Sequence, residues 1–117
     1  MVYFLPPAAW ARPYPSVNPA IFSQSAATAQ TLMNDAGVIL KRLAESRSFA
    51  ATIMSAAQEG KTEEVKRLIR SLGIRSQTEV YFNPDGIRLT LSPPPESFPC
   101  CQLAIGLRWN VFPPFHV

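Results

Sequence analysis

Charged residues, histidine and cysteine are scarce in this 117-residue chain, and each scarcity argues against a class of function. Charged residues make up only 16% of the chain, which predicts a surface that associates readily. One histidine, two cysteines and no CxxC pattern provide too few ligands at normal spacing for a metal site. No apolar run approaches the roughly 18 residues that cross a bilayer, so we expect no membrane insertion.

Catalytic motifs are missing as well. The chain has no glycine-rich phosphate loop, no nucleophile elbow and no paired carboxylates in a predicted cleft, so we expect neither enzymatic activity nor a cofactor. The eleven basic residues are interleaved with eight acidic ones, which argues against nucleic-acid binding. The N-terminus lacks the basic region of a signal peptide, and we therefore expect cytoplasmic synthesis with reduced thiols.

The twelve prolines divide the chain, since none occurs between Asn34 and Asn83. Residues 1–19 are proline-rich and predict an extended arm, whose aromatic residues are candidate contacts with a partner, with a second copy or with the chain's own domain. These residues are Tyr3, Phe4, Trp10 and Tyr14. Residues 20–110 predict a single domain, and residues 111–117 a tail.

Apolar residues recur at three- and four-residue steps from Ala20 to Glu45, which predicts one long amphipathic helix over 20–45. We expect Asn18 to cap this helix and Pro19 to be its first residue.

Two shorter helices are expected next, over about 48–59 and 63–72. Ser46 or Ser48 can cap the first of them, and Thr62 the second. The two helices predict a local helical hairpin.

Beyond the third helix the apolar period changes to two, which predicts strands over about 78–82, 87–92 and 100–109. The sequence NPDG between the first two strands predicts a type I turn, with Pro84 at its second position and Gly86 in the left-handed conformation. The predicted fold is therefore α+β: three helices packed on one face of a three-stranded antiparallel β-meander.

The adjacent Cys100 and Cys101 open the third predicted strand. Neighbouring strand residues point to opposite faces, so we expect Cys101 to point inward and Cys100 outward. A disulfide between the two would be strained, because adjacent Cα atoms are only about 3.8 Å apart. Two interpretations remain: both are ordinary strand residues, or Cys100 forms cross-links between chains.

The outer face of the predicted sheet carries Arg88, Gln102 and Arg108. This face leaves open a second hypothesis, a soluble cytoplasmic binding module that recognises a peptide or a nucleic acid. An ordinary solvated sheet face has the same residue pattern.

Several segments together resemble a family. They are NPAIFSQSAATAQTLMNDAGVILKRLAES, AAQEGKTEEVKRLIRSLGI, FNPDGIRLTL and PCCQLAIGLRW, and with the proline-rich start they resemble small inner spore coat proteins of endospore-forming bacilli over about residues 14–109. The resemblance implies a structural role in the spore coat, with other coat proteins or the chain itself as partners. It brings no catalytic residues.

Overall fold

The computed structural model describes residues 17–110. Three helices precede three strands along the chain. The helices are α1 (Ala20–Glu45), α2 (Arg47–Gln58) and α3 (Thr62–Arg70), and the strands are β1 (Gln77–Asn83), β2 (Gly86–Ser92) and β3 (Leu103–Arg108). The expected tail and residues 1–16 of the expected arm lie outside the described residues.

Helix α1 covers the predicted range 20–45, but Pro19 occupies its capping position, so the predictions that Asn18 caps the helix and that Pro19 is its first residue are wrong. Asn18 Oδ1 accepts a hydrogen bond from the Ala20 N–H at 3.0 Å and so satisfies one of the first free donors of the helix. Ser46 ends α1 with an extended backbone and begins α2, because its Oγ accepts a hydrogen bond from the Phe49 N–H at 3.1 Å. Of the two serines predicted to cap α2, Ser46 is the one that does so.

Helix α3 begins at Thr62 itself, so the prediction that Thr62 caps it is wrong. Gly60 has a φ of 72°, a left-handed conformation that reverses the chain after α2. The Lys61 N–H then bonds to Ala56 O at 2.9 Å, and Lys61 takes the capping position. Helix α3 therefore begins at residue 62, one residue earlier than the predicted start at 63.

The three strands form one antiparallel sheet in the order β1-β2-β3. Asn83 and Gly86 face each other at the close of the first hairpin, which leaves Pro84 and Asp85 as its loop. Asn83 Oδ1 accepts hydrogen bonds from the Asp85 N–H at 2.8 Å and from the Gly86 N–H at 3.1 Å. The asparagine side chain thus fixes the turn that the sequence NPDG predicted.

Gly86 does not adopt the predicted left-handed conformation, which among the described residues occurs only at Gly60 and Gly73. Its role is a close approach between strands. A Cβ atom at Gly86 would collide with the carbonyl oxygen of Leu107 in β3. A two-residue hairpin loop brings Gly86 into the ladder at once, where it needs an extended backbone.

The helices cover one face of the sheet, and the core lies between the two layers. Strand alternation points Ile87, Leu89 and Leu91 of the central strand into this core. The helices contribute the buried residues Leu32, Ala36, Ile39, Ile53, Ala56, Ala57, Val65 and Ile69. The predicted α+β fold, with three helices and a three-stranded antiparallel sheet, is confirmed.

A polar contact joins the helical layer to the start of the sheet. Asp35 Oδ2 of α1 accepts a hydrogen bond from the backbone N–H of Ser76 at 3.1 Å, and the Ser76 hydroxyl donates to the same oxygen. Ser76 is buried, so Asp35 supplies the partner that its two donors cannot obtain from water.

None of the helices within residues 17–110 combines the length and the apolar character that a membrane span needs.

Candidate contact site at the cysteine pair

A groove of about 480 Å³ separates the first half of α1 from the segment that joins β2 to β3. We call it the contact groove. It is lined by Ile21, Gln24, Ser25, Thr28 and Thr31 of α1 and by Pro93, Pro94, Ser97, Phe98 and Cys100 of the connecting segment. Cys100, the cysteine that the sequence suggested as a cross-linking residue, therefore lies in the wall of an open groove.

The groove exists because α1 is longer than the layer it packs on. Leu32 is the first buried residue of α1, so the helix projects beyond the core for about 18 Å before it. Ile21 and Phe22 lie on this projecting part and are 58% and 81% exposed. Sequence periodicity alone did not separate these residues from the core-facing positions of the same helix.

The opposite wall is held in place by hydrogen bonds. Gln77 Nε2 donates to Pro93 O at 2.9 Å, which ties the start of the connecting segment to β1. The Ser97 N–H bonds to Pro94 O at 2.9 Å, and the Cys100 N–H bonds to Phe98 O at 2.8 Å. Phe98, which begins the second of these turns, stays 65% exposed. An exposed aromatic ring on a braced segment is typical of a contact surface.

The two cysteines precede β3, so the prediction that they are residues of this strand is wrong. The ladder between β2 and β3 ends with the pair Leu91 and Leu103. If the two strands stayed paired in this register for two more residues, Cys101 would lie opposite Pro93, which has no N–H to donate. The strand therefore begins later, and both cysteines lie half-buried in the connecting segment.

Both cysteines are free, and they point toward each other, with their sulfur atoms 2.7 Å apart. The expected division into one inward and one outward side chain is therefore wrong. A hydrogen bond with Cys100, desolvation and the charge of Cys100 raise the pKa of the Cys101 thiol to about 11. Cys101 thus stays protonated at neutral pH, and a protonated thiol is a weak nucleophile.

Arg88 and Arg108 are exposed on the outer face of the sheet, whereas Gln102 is exposed but precedes β3. The guanidinium carbon of Arg88 lies over the ring of Tyr81, 5.0 Å from its centre, in a cation–π contact. This face lies on the side of the sheet away from the helices, and the contact groove is a separate surface.

Some sequence predictions fall outside the part of the chain that the structure describes. The aromatic residues Tyr3, Phe4, Trp10 and Tyr14 belong to this group, and they remain predictions. Among the described residues, no group of three or more histidine, cysteine or acidic side chains is arranged to hold a metal ion.

Comparison with known proteins identifies the family. Residues 19–102 match the family described as YuzC spore coat inner layer protein. The chain is also 33% identical over 98 residues to "Uncharacterized protein YuzC" of Bacillus subtilis (strain 168), a match that covers 84% of this chain and 76% of that protein. The chain belongs to the YuzC spore coat inner layer protein family. No solved structure matches it.

Membership of the YuzC family confirms the resemblance to inner spore coat proteins and agrees with the expected location in the spore coat. The match begins at Pro19 and ends at Gln102, so it includes both walls of the contact groove and both cysteines. The contact groove is therefore a feature of the part of the chain that resembles the YuzC family.

Proposed function

We propose that this chain is a non-catalytic structural protein of the inner spore coat, which attaches to its partners through the contact groove and a disulfide at Cys100. Membership of the YuzC family supports the coat role. The observation that carries the mechanism is the position of Cys100, a free thiol in the wall of an open groove.

The groove provides the non-covalent step. Its lining includes the exposed apolar side chains Ile21 and Phe98 together with polar residues such as Gln24 and Thr28. A partner segment with one apolar side gains free energy by removing Ile21 and Phe98 from water. Once bound there, the segment holds any cysteine of its own beside Cys100, which raises the local concentration of the reacting groups.

The covalent step is thiol–disulfide exchange. The Cys100 thiolate attacks one sulfur of an existing disulfide on a partner, the old S–S bond breaks, and the departing thiolate takes up the proton that Cys100 released. Cys101 does not compete as attacking group at neutral pH, because its pKa is raised to about 11. Cys100 is therefore the proposed cross-linking residue, because it and not Cys101 lines the contact groove.

The partners are other spore coat proteins or further copies of this chain. The aromatic residues Tyr3, Phe4, Trp10 and Tyr14 are proposed as additional contacts, because the chain that carries them joins α1 next to Ile21 of the groove. Aromatic side chains dominate the energetics of many protein interfaces.

Extraction of purified spores tests both parts of this proposal. Spores of the source organism are boiled in detergent with and without reductant, and the protein is followed by blotting. We expect it in the spore fraction and expect release to require the reductant. Cys100→Ser should be released by detergent alone, and Cys101→Ser, the matched control, should still require reductant.

Three outcomes would contradict the proposal. Recovery of the protein in soluble extracts of growing cells, and not in spores, would refute the coat role. Release of the wild-type protein from spores by detergent alone would refute the disulfide and leave the coat role standing. Equal behaviour of the two serine variants would refute the specific assignment to Cys100.

A further inference from the structure

A second apolar stripe runs along α1 on a side that the domain leaves open. This α1 stripe comprises Phe22, Ala26, Ala29, Met33, Gly37, Leu40 and Ala44, of which Ala29 is half-buried and the other six are exposed. Successive helical residues turn by about 100°, so the α1 stripe lies about a quarter turn from the buried residues Leu32, Ala36 and Ile39. Phe22 is 81% exposed and Met33 is 62% exposed. Large apolar side chains in a continuous exposed stripe indicate a contact surface.

The spacing of the α1 stripe suits two straight helices packed along each other. Its members follow steps of four, three and four residues, repeated, so the pattern recurs every 11 residues from Phe22 through Met33 to Ala44. This repeat corresponds to about 3.67 residues per turn, close to the natural period of the α-helix. The stripe therefore stays on one side of α1 for about 33 Å.

The α1 stripe is complementary to itself when one copy is reversed about Met33. Phe22 and Ala44 lie eleven residues before and after Met33, and Ala26 and Leu40 lie seven residues before and after it. In an antiparallel pair, Phe22 and Leu40 of one helix therefore meet alanines of the other, and Met33 meets its own copy on the symmetry axis. Large against small is the arrangement that fills the space between two helices without overlap.

The same reversal sets Gly37 opposite Ala29, four residues on either side of Met33. Nothing lies within 4 Å of the position that a Cβ would occupy at Gly37, so the domain itself gives no reason for a glycine there. Glycine within a helix weakens it. A second helix that approaches closely at this point supplies the missing reason.

Charge selects the antiparallel orientation over the parallel one. The first charged residue of α1 is Asp35, so its first half is neutral. The exposed pair Lys41 and Glu45 lies near the other end, with Lys41 Nζ 3.0 Å from Glu45 Oε2. A parallel pair would place Lys41 beside its own copy, whereas an antiparallel pair places it beside a neutral segment. Antiparallel helices also set opposite ends of their dipoles together.

We propose that α1 pairs with α1 of a second copy through the α1 stripe, in an antiparallel dimer with two-fold symmetry. This inference does not depend on the coat role, because the purified protein alone forms the dimer. The contact groove lies on the other side of α1, with Gln24 and Thr28 pointing away from the α1 stripe. Each dimer therefore presents two grooves and two Cys100 thiols, which allows one particle to link two partners.

Sedimentation velocity of the full purified chain tests the dimer, in the presence of reductant so that no disulfide contributes. We expect a dimer whose dissociation depends on concentration. Met33→Glu sets two carboxylates together on the symmetry axis, and Gly37→Leu overlaps Ala29 of the partner subunit. Each should raise the dissociation constant at least tenfold. Val38→Glu is the matched control, because Val38 is 44% exposed and lies off the stripe.

Circular dichroism separates loss of the dimer from loss of the fold. Gly37→Leu improves helix propensity at an open site, so its helix content should be at least that of wild type. A wild-type chain that remains monomeric at the highest concentration would overturn the proposal. So would an unchanged dimer in both Met33→Glu and Gly37→Leu, or a Val38→Glu chain that dissociates as readily as Met33→Glu.

Single cysteines test the orientation, in a chain with Cys100→Ser and Cys101→Ser. In the antiparallel dimer, mild oxidation should link Phe22→Cys to Ala44→Cys when the two variants are mixed, and Ala44→Cys alone should stay unlinked. Rapid linkage of Ala44→Cys to itself would contradict the antiparallel arrangement.

Discussion

Substitution of Gly86 by alanine perturbs the sheet at one defined point, the contact between β2 and β3. The added Cβ collides with the carbonyl oxygen of Leu107 and lies 3.1 Å from the Cα of Arg108. Both are backbone atoms of a paired strand, and unlike a flexible side chain they cannot rotate away. The two strands must therefore separate locally, which strains the neighbouring hydrogen bond from the Trp109 N–H to Asp85 O, 3.0 Å long.

The size of the effect follows from two opposing terms. Forcing an extra carbon into a packed site costs about 1–3 kcal/mol. Replacing glycine by alanine recovers about 0.4–1 kcal/mol, because it restricts the unfolded chain. With the middle of each range, the two effects leave a loss of about 1.3 kcal/mol, and we expect Gly86→Ala to lower the free energy of unfolding by that amount.

Gly106→Ala is the matched control, since Gly106 lies in β3 and nothing occupies the 4 Å around its Cβ position. Gly106→Ala should restrict the unfolded chain without causing a clash in the folded one, so its free energy of unfolding should be unchanged or raised by up to about 1 kcal/mol. Urea unfolding followed by circular dichroism measures both variants, at one protein concentration because a dimer makes stability depend on concentration. A Gly86→Ala chain as stable as Gly106→Ala would refute the reasoning.

Two further predictions concern polar groups. Asp35→Ala should lower the free energy of unfolding by about 2–4 kcal/mol, because it leaves the N–H and hydroxyl of buried Ser76 without their acceptor, and exposed Asn34→Ala should cost under about 1 kcal/mol. Equal losses of unfolding free energy for Asp35→Ala and Asn34→Ala, measured by urea unfolding, would contradict this prediction. Iodoacetamide at neutral pH should modify Cys100 before Cys101, whose pKa is raised to about 11 while Cys100 is free, and peptide mass spectrometry showing the reverse order would contradict the assignment.

The sequence predicted the layers of the fold because each layer has its own apolar period. Alternation assigned the faces of β3 correctly: Leu103, Ile105 and Leu107 pack against the core, and Ala104 and Gly106 are exposed. Such patterns are local, and a half-buried strand must follow them.

The division of α1 into separate surfaces could not be predicted in the same way. Met33 and Leu40 were grouped with Leu32 and Ile39, because all four recur at three- and four-residue steps. Which of these positions enters the core depends on where the sheet lies against the helix, and that is a tertiary property. The 11-residue repeat through Met33 was the signal in the sequence that could have separated them.

The position of the cysteines was missed for a related reason. A strand ends where its neighbour can no longer pair with it, and Pro93 of the neighbouring chain segment decides this for β3. The contact groove likewise depends on α1 extending beyond the sheet. Neither property is visible from the residues around Cys100 alone.

Mapping of disulfides in purified spore coats tests the central claim most directly. Coats are broken open in an alkylating agent, digested without reductant and analysed by mass spectrometry. The account predicts a peptide containing Cys100 joined by a disulfide to a peptide from another chain, with Cys101 alkylated as a free thiol. Recovery of Cys100 as an alkylated free thiol, or of a disulfide between Cys100 and Cys101, would contradict it.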